Sequence, residues 1–590
     1  MKKEQRLRLS FQKIKKRYPE LKAGVESGKR RQLWHHEAVI RDQIKGLQAL
    51  GQQGLPGYRE LYDDYVTLLN TASKRILTQY NQRKGTTYSF DAVVKGNFQG
   101  YLKSGILSVL ITSHIPQMVS AEFRKRLPKN PADEYPEARQ QKRTFYLHLG
   151  DTNTGKTYQA LQRLKAVPAG VYLAPLRILA LENYERLNQE GIPCSLLTGE
   201  EEFRVEGARH LCCTVEKLNI HHQFDVAVVD EIQLVADSQR GDAWSKAILG
   251  LRCPEIHLCG AKLAKDQLFT MIADCGDELV LKEYSRLVPL QVQSQPVKLS
   301  QVEPGDALVA FSKRSVLSLS RYFTRRDIGN SVIYGDLPPE VRRMQYKAFI
   351  EGENPVLVAT DAIGMGINLP IRRLIFTEVQ KFDGDSVRLL TPQEVKQIAG
   401  RAGRIGIYPV GYVAALDESI DFIAQQLDSE DDPIEQAVIG PSETILDIGL
   451  LPLGEKLALW STEPEALPYY RKKDIRDFLL ILDTLKEYKL PEPIQWRLMQ
   501  IPFDPGNQNL LAQFIAYLQE YFTLRRPELT KPVAFCRSCS DFEQYYQQIN
   551  LYYSFSKAMN LPFDEPWVME SRKQVSEQID QLLAAGDHHR

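Results

Sequence analysis

The sequence predicts an α/β protein: two tandem parallel sheets, with a mainly helical segment at either end. Three observations predict it. An apolar run at 145–149 feeds a glycine-bearing loop and then a helical pattern. Short apolar runs, such as 171–174, 226–229, 256–259 and 279–281, alternate with longer amphipathic stretches from about 144 to 290. The same rhythm returns from about 300 to 425, with strands expected at 307–311, 331–334 and 356–359 and no second glycine loop. Such alternation builds parallel sheets whose ligands lie beyond the strand C-termini. At 590 residues the chain is too long for a single core.

Residues 1–140 place Leu47, Leu50, Tyr58, Leu61, Tyr62, Tyr65, Leu68 and Leu69 at helical spacings. Residues 1–143 carry 28 Lys/Arg against 13 Asp/Glu, although the whole chain has a net charge of only +1. A basic front end suits a polyanionic partner, or is a solvated helical surface. The proline-punctuated basic stretch 124–131 reads as a linker into the first strand. The eight cysteines show no disulfide framework, and Cys536-x-x-Cys539 lacks the second pair of a zinc site. His221-His222 reads as a polar turn. No apolar run is long enough to span a membrane, and no signal-peptide core is present, so a cytoplasmic protein without membrane association is expected.

The first sheet carries the most specific signal. Gly150-x-x-x-x-Gly155-Lys156-Thr157 lies between a strand and a helix, the context a phosphate-binding loop requires. Loop N–H groups and the helix N-terminus can surround a polyphosphate, Lys156 can neutralise it, and the Thr157 hydroxyl can ligate Mg²⁺. The run 226–229 ends in Asp230-Glu231-Ile232-Gln233. At a strand end beside such a loop, Asp230 can hold Mg²⁺ through water and Glu231 can orient and deprotonate the attacking water.

The second sheet contains Ala359-Thr360-Asp361-Ala362-Ile363-Gly364-Met365-Gly366-Ile367-Asn368 and then Gln397-Ile398-Ala399-Gly400-Arg401-Ala402-Gly403-Arg404. Thr391 is an N-cap candidate with Pro392 at the first helical position. Arg401 and Arg404 are three apart, so they are expected to share a helix face and to reach a neighbouring domain's triphosphate as arginine fingers. Beyond about 430 the pattern is helical, with an amphipathic stretch at 474–488. An aromatic-rich stretch at 542–555 reads as core rather than as a base-stacking surface. These helices are expected to cover the open side of the two sheets and close a channel.

In order, the motifs at 150–157, 230–233, 359–368 and 397–404 resemble motifs I, II, V and VI of superfamily 2 helicases of the DExH group. Pro175-Leu176-Arg177-Ile178-Leu179-Ala180, Leu197-Thr198-Gly199-Glu200-Glu201, His257-Leu258-Cys259-Gly260 and Lys381-Phe382-Asp383-Gly384 narrow the likeness. The chain is similar to the mitochondrial degradosome RNA helicase family and its bacterial homologues, densely over about 145–420 and faintly at 551–555 and 563–564. The resemblance implies RecA-like domains at 141–290 and 291–430. They lie between a basic helical N-terminal domain, 1–140, and a helical C-terminal region, 431–590, that includes a small terminal helical domain.

It implies an ATP-dependent RNA helicase that moves 3′ to 5′ in RNA turnover, with ATP and Mg²⁺ as cofactors. By motif position Gly150, Thr152, Asn153, Thr154, Gly155, Lys156, Thr157 and Asp230 bind nucleotide, Thr157 and Asp230 holding the metal. Lys156, Glu231, Gln397, Arg401 and Arg404 are catalytic. Pro175, Arg177, Thr198, Gly199, Thr214, Glu216, Thr360 and Asp361 fall along the nucleic-acid path. The implied partners are single-stranded nucleic acid, RNA favoured over DNA, and an exoribonuclease. Asp151 stands where that family usually has Pro, Thr154 where it has Ser, and Ala261 where an acidic residue is frequent. A DNA helicase or translocase, and a nucleotide-switched nucleic-acid clamp without unwinding, are the alternative readings. Position alone assigns residues 381–385 to a strand-separating loop.

Overall fold

The computed structural model describes residues 2–586 except 29, 52–54, 365–368, 383–386 and 418. Helices Lys2–Ser27, Arg30–Leu50, Tyr58–Lys84 and Phe98–Thr112 bury one apolar core around Phe11, Leu33, Leu47, Tyr65, Leu69 and Tyr101. The stretch read as a linker is still helical at its start, because helix Gln117–Arg126 runs through it. A 3₁₀ turn, Pro131–Glu134, and a one-turn helix, Pro136–Arg139, then lead into the first strand.

The first sheet comprises β1 (Thr144–Gly150), β2 (Gly170–Ala174), β3 (Cys194–Leu197), β4 (Glu202–Phe203), β5 (His210–Thr214), β6 (Val226–Val229), β7 (Glu255–Gly260) and β8 (Glu278–Tyr284). Their order is β4-β3-β5-β2-β6-β7-β1-β8, parallel except for β4 against β3. All four residues of β6 are buried, which explains its unbroken apolar run: both sheet faces are covered. Only β7 separates β1 from β6, so the phosphate loop and Asp230 leave the same edge of the sheet side by side.

The second sheet comprises β9 (Leu290–Val292), β10 (Asp306–Val309), β11 (Asn330–Ile333), β12 (Val356–Ala359), β13 (Arg373–Phe376) and, after a hairpin, β16 (Gly411–Ala415). The order is β11-β12-β10-β13-β16-β9, all parallel. The hairpin pairs β14 (Gln380–Phe382) with β15 (Val387–Leu389) antiparallel. Two RecA-like sheets with helical segments at both ends are the observed architecture.

The C-terminal region is not purely helical. Strands β17 (Ala437–Ile439) and β18 (Tyr470–Lys472) pair in parallel, and Ala437 and Tyr470 complete the core of the first sheet. The chain therefore leaves the second sheet, returns to the first, and only then builds helices Arg476–Leu485, Gln508–Leu518, Cys539–Ala558 and Glu565–Ala584, which share a core with the second sheet. Within that core Tyr546, Ile549, Tyr552, Tyr553 and Phe555 are buried.

The basic N-terminal helices find part of their counter-charge inside the molecule. Arg41 meets Asp474 at 3.0 Å, Lys84 meets Asp483 at 2.8 Å, Lys103 meets Glu465 at 3.1 Å and Arg124 meets Glu463 at 2.5 Å. The lopsided charge is thus in part a docking code between the two ends of the chain.

Candidate functional site

The phosphate loop is shaped by backbone demands. A Cβ at Gly150 would come 2.5 Å from the Tyr284 carbonyl at the end of β8, so only glycine fits there. The loop turns through positive φ at Asn153 (58°) and Gly155 (78°) before helix Lys156–Lys165 begins. Lys156 arches over the loop and donates to the Asp151 carbonyl at 2.8 Å, and Thr154 donates to the same carbonyl at 3.1 Å. The Asp151 side chain is exposed.

Asp230 lies beside it at the end of β6. Its Oδ1 accepts from the Thr157 hydroxyl (3.1 Å) and the Glu231 N–H (3.0 Å), and its Oδ2 accepts from the Tyr172 hydroxyl (3.0 Å). Trp244 donates from Nε1 to the Asp230 carbonyl at 2.9 Å. Burial, reinforced by the neighbouring Glu231, pushes the Asp230 carboxyl up to about 6. A buried carboxylate under that stress, next to a hydroxyl, is a hard oxygen donor set that suits a divalent cation such as Mg²⁺. Glu231 adopts a left-handed backbone (φ 50°), a conformation that costs about 1–3 kcal/mol and recurs at functional sites. Gln233 donates to its carboxylate and accepts from the Ala261 N–H at 3.0 Å, tying Glu231 to the end of β7.

The opposing wall comes from the second sheet. Helix Pro392–Ala399 opens with the expected cap: Thr391 Oγ1 accepts from the Glu394 N–H (3.3 Å), and the Glu394 carboxylate accepts from the Thr391 N–H (2.9 Å). The helix does not reach Arg404. It stops at Ala399, Ala402 forms a β-bridge with Ile371, and Gly403 turns at φ 81°. Gly400 and Gly403 are weak helix formers, and the bridge captures the backbone that the helix would have used. Arg401 and Arg404 therefore stand on a turn, not on one helix face. Arg401 donates to the Gly364 carbonyl at 3.0 Å, and Gln397 reaches the same carbonyl at 3.5 Å. Both arginines lie within electrostatic reach of Glu182, on helix Arg177–Gln189 of the first domain. Burial raises the Glu182 carboxyl, and Arg186, Arg404 and Arg401 pull it back.

The two walls touch. Asn153 donates from Nδ2 to the carbonyls of Gly400 and Gly403, 3.0 Å each. Arg286, on the connection between β8 and β9, reaches Thr152 O at 3.3 Å and Gly400 O at 2.8 Å, and also donates to Ala402 O. The motif residues did not reveal Arg286 or Tyr172. Tyr172 was detectable in principle, since a tyrosine inside a fully buried strand needs a partner for its hydroxyl.

The proposed nucleic-acid residues are dispersed. Thr360 and Asp361 line a 550 Å³ cavity at the second sheet, together with Ser312, Lys313, Arg342 and Lys381. Residues 365–368 of the motif that follows lie outside the described residues. On the first domain Glu216 pairs with Arg240 at 2.7 Å, and Arg240 also donates to the Pro175 carbonyl. Thr214 is buried at the end of β5. Thr198 accepts from the N–H groups of Glu200 (3.3 Å) and Glu201 (3.0 Å), and Gly199 O accepts from Ser554 at 3.3 Å. Arg177 does not face an open channel. Its guanidinium binds Glu200, Glu201 (3.0 Å), Glu340 (2.8 Å) and the Tyr546 hydroxyl (2.9 Å), joining the first domain, the second and the C-terminal helices.

Residues 131–284 match the DEXQ-box helicase domain of Suv3, and residues 292–406 match the helicase conserved C-terminal domain. The mitochondrial DExH-box ATP-dependent RNA helicase DExH18 of Arabidopsis thaliana is 43% identical over 340 residues, 56% of this chain and 42% of its own. The mitochondrial ATP-dependent RNA helicase SUV3 of Candida albicans is 39% identical over 415 residues, 68% of this chain and 57% of its own. The mitochondrial ATP-dependent RNA helicase SUPV3L1 of Mus musculus is 40% identical over 326 residues, 53% of this chain and 42% of its own. The chain spans about half the length of the relatives it matches. These relatives are mitochondrial by name, which overturns the expectation of a cytoplasmic protein.

Proposed function

We propose that this protein, whose residues 131–284 and 292–406 match a Suv3-type helicase domain and a helicase C-terminal domain, is an ATP-driven RNA helicase of the DExH group of superfamily 2. One observation carries the reading: the phosphate loop and the Arg401–Arg404 turn come from different sheets and meet directly, through Asn153 and the carbonyls of Gly400 and Gly403. A site divided this way is complete only when the domains close, so nucleotide state and domain spacing are linked.

Within that site Lys156 would bind the terminal phosphates, and Thr157 with Asp230 would hold Mg²⁺. That ion supplies charge neutralisation on the phosphates when bound. Glu231, fixed by Gln233, would take the proton of the attacking water, and Arg401 and Arg404 would swing from Gly364 and Glu182 to stabilise the transferring phosphoryl group. Thr360, Asp361 and the cavity beside them, where Lys313, Arg342 and Lys381 stand among Asp336, Asp361 and Glu394, would hold a nucleic-acid backbone without reading its sequence. Movement 3′ to 5′ in RNA turnover, RNA favoured over DNA and an exoribonuclease partner complete the proposal. So does the division of the chain near 140, 290 and 430. The β14–β15 hairpin exposes more than half of Phe382, Val387 and Leu389, an apolar wedge suited to strand separation. Residues 383–386 of that loop lie outside the described residues.

The test is ATP hydrolysis with no nucleic acid, with single-stranded RNA and with single-stranded DNA, alongside unwinding of a 3′-tailed duplex. RNA stimulation with unwinding is expected. Stimulation by neither polymer removes the motor, equal stimulation by DNA favours the DNA reading, and stimulation without unwinding favours a translocase or clamp.

A further inference from the structure

Arg286 lies on the short connection from β8 to β9, the first crossing of the chain between the two sheets. Its fork is spent on main chain from three segments: Thr152 O of the phosphate loop at 3.3 Å, Gly400 O (2.8 Å) and Ala402 O of the arginine-bearing turn, and Val288 O of the connection itself at 2.5 Å. Three of the four buried arginines among the described residues have a carboxylate, Asp277 for Arg143, Asp306 for Arg373 and Asp474 for Arg41, while the fourth, Arg572, binds Asn550 and the Glu200 carbonyl. Among the described residues no carboxylate comes within hydrogen-bonding distance of Arg286. Burial lowers the guanidinium to about 10, with Asp151 opposing at longer range, so it remains charged near neutral pH. An arrangement that leaves a half-buried cation uncompensated beside a phosphate loop is a poor choice for stability alone.

We propose that Arg286 is a positioning residue for ATP hydrolysis: it sets the turn carrying Arg401 and Arg404 against the phosphate loop. The carbonyls it holds belong to the residues on either side of Arg401, so the fork fixes the frame from which that side chain departs. Only a planar fork with several N–H groups can hold Thr152, Gly400 and Ala402 at once; an ammonium on a flexible stem cannot. The role rests on the reading of the crevice as an ATPase site.

The test is steady-state ATP hydrolysis by the full chain with saturating single-stranded RNA, comparing wild type, Arg286→Met, Arg286→Lys and Lys156→Ala. Displacing a reacting group by about 1 Å costs about 10²-fold in rate. Arg286→Met is accordingly expected to lose about 10²-fold in kcat with KM for ATP within about threefold. Arg286→Lys keeps the charge and the stem, so it reports on the fork even if Arg286→Met fails to fold. It is expected to lose about tenfold in kcat with KM unchanged. Either folded variant at wild-type kcat overturns the proposal, and so does a rise in KM at unchanged kcat, which would make Arg286 a simple nucleotide contact. Unaltered Arg286 variants beside an inactive Lys156→Ala sink this inference alone, whereas a wild type that does not hydrolyse ATP sinks the ATPase reading beneath it.

Discussion

Gly400 packs so closely on Thr152 that a Cβ at position 400 would come 1.6 Å from the threonine hydroxyl oxygen. The backbone at Gly400 is ordinary (φ −60°), so the demand for glycine is one of space, taken up first by Thr152 of the facing domain and then by the Lys396 carbonyl, 2.7 Å from the same Cβ. Gly400→Ala is expected to hold the crevice ajar and lower kcat by about 10²-fold. Adding Thr152→Ala removes the colliding hydroxyl and should recover about tenfold of that loss, since residues in contact couple strongly. ATPase rates of the single and double variants check this, and wild-type turnover in Gly400→Ala would show that catalysis does not use this close approach.

Lys156 and Arg404 act from opposite walls and should fail differently. Both Lys156→Ala and Arg404→Ala are expected to abolish turnover, with losses of about 10³-fold or more. Only Lys156→Ala should strongly weaken nucleotide binding, measured by fluorescence of a labelled ATP analogue. Normal hydrolysis by Arg404→Ala would contradict a site built from two sheets.

Glu394 gives a pH signature. Its carboxylate receives Arg388 on both oxygens at 2.8 Å and Lys381 at 2.7 Å, besides closing the Thr391 cap. Burial alone would raise its pKa, but these partners outweigh it and hold the carboxyl at about 2, below its ordinary 4.5. A depressed carboxyl contributes stability that is complete above its unfolded value and fades as pH falls through 4.5 towards 2. Glu394→Gln should cost about 1–2 kcal/mol at pH 7, with the gap from wild type closing across that acid window. Urea titrations at stepped pH measure it; a gap unchanged at pH near 3 would refute the assignment.

Arg177 separates a nucleic-acid contact from a structural tie. Removing it takes from Glu200, Glu201 and Glu340 the cation that pairs with all three, and breaking a buried pair costs about 3–5 kcal/mol. Arg177→Ala is therefore expected to lower the unfolding free energy by that order in the absence of any nucleic acid. Unfolding by urea is the check. Unchanged stability with weakened RNA binding would restore the role its motif position suggested.

The phosphate loop, Asp230 and Glu231 were legible because each is a local pattern: a strand end, a turn and a helix start within a dozen residues. Arg286 was not, because its partners Thr152 and Gly400 lie more than a hundred residues away on either side. The helix expected through 397–404 failed at Gly400, where spacing said helix but glycine and a bridge to Ile371 said turn. Strands β17 and β18 are three residues each, too short for any alternation to show, and their pairing depends on the core of a distant sheet. Arg177 was legible as important but not for its role, since the motif records a position and only the fold reveals three carboxylates waiting there.

The return of the chain to the first sheet bounds how far the crevice can gape. One tether is residues 285–289, between β8 and β9. The other is residues 429–433, from the end of helix Ile420–Asp428 to Ile434, whose N–H is anchored on the Leu263 carbonyl at 3.0 Å. Five residues reach at most about 17 Å when fully stretched. Leashed on two flanks, the halves have only a short arc over which to rock and slide, which would keep small any stride that the proposed motor takes along a strand.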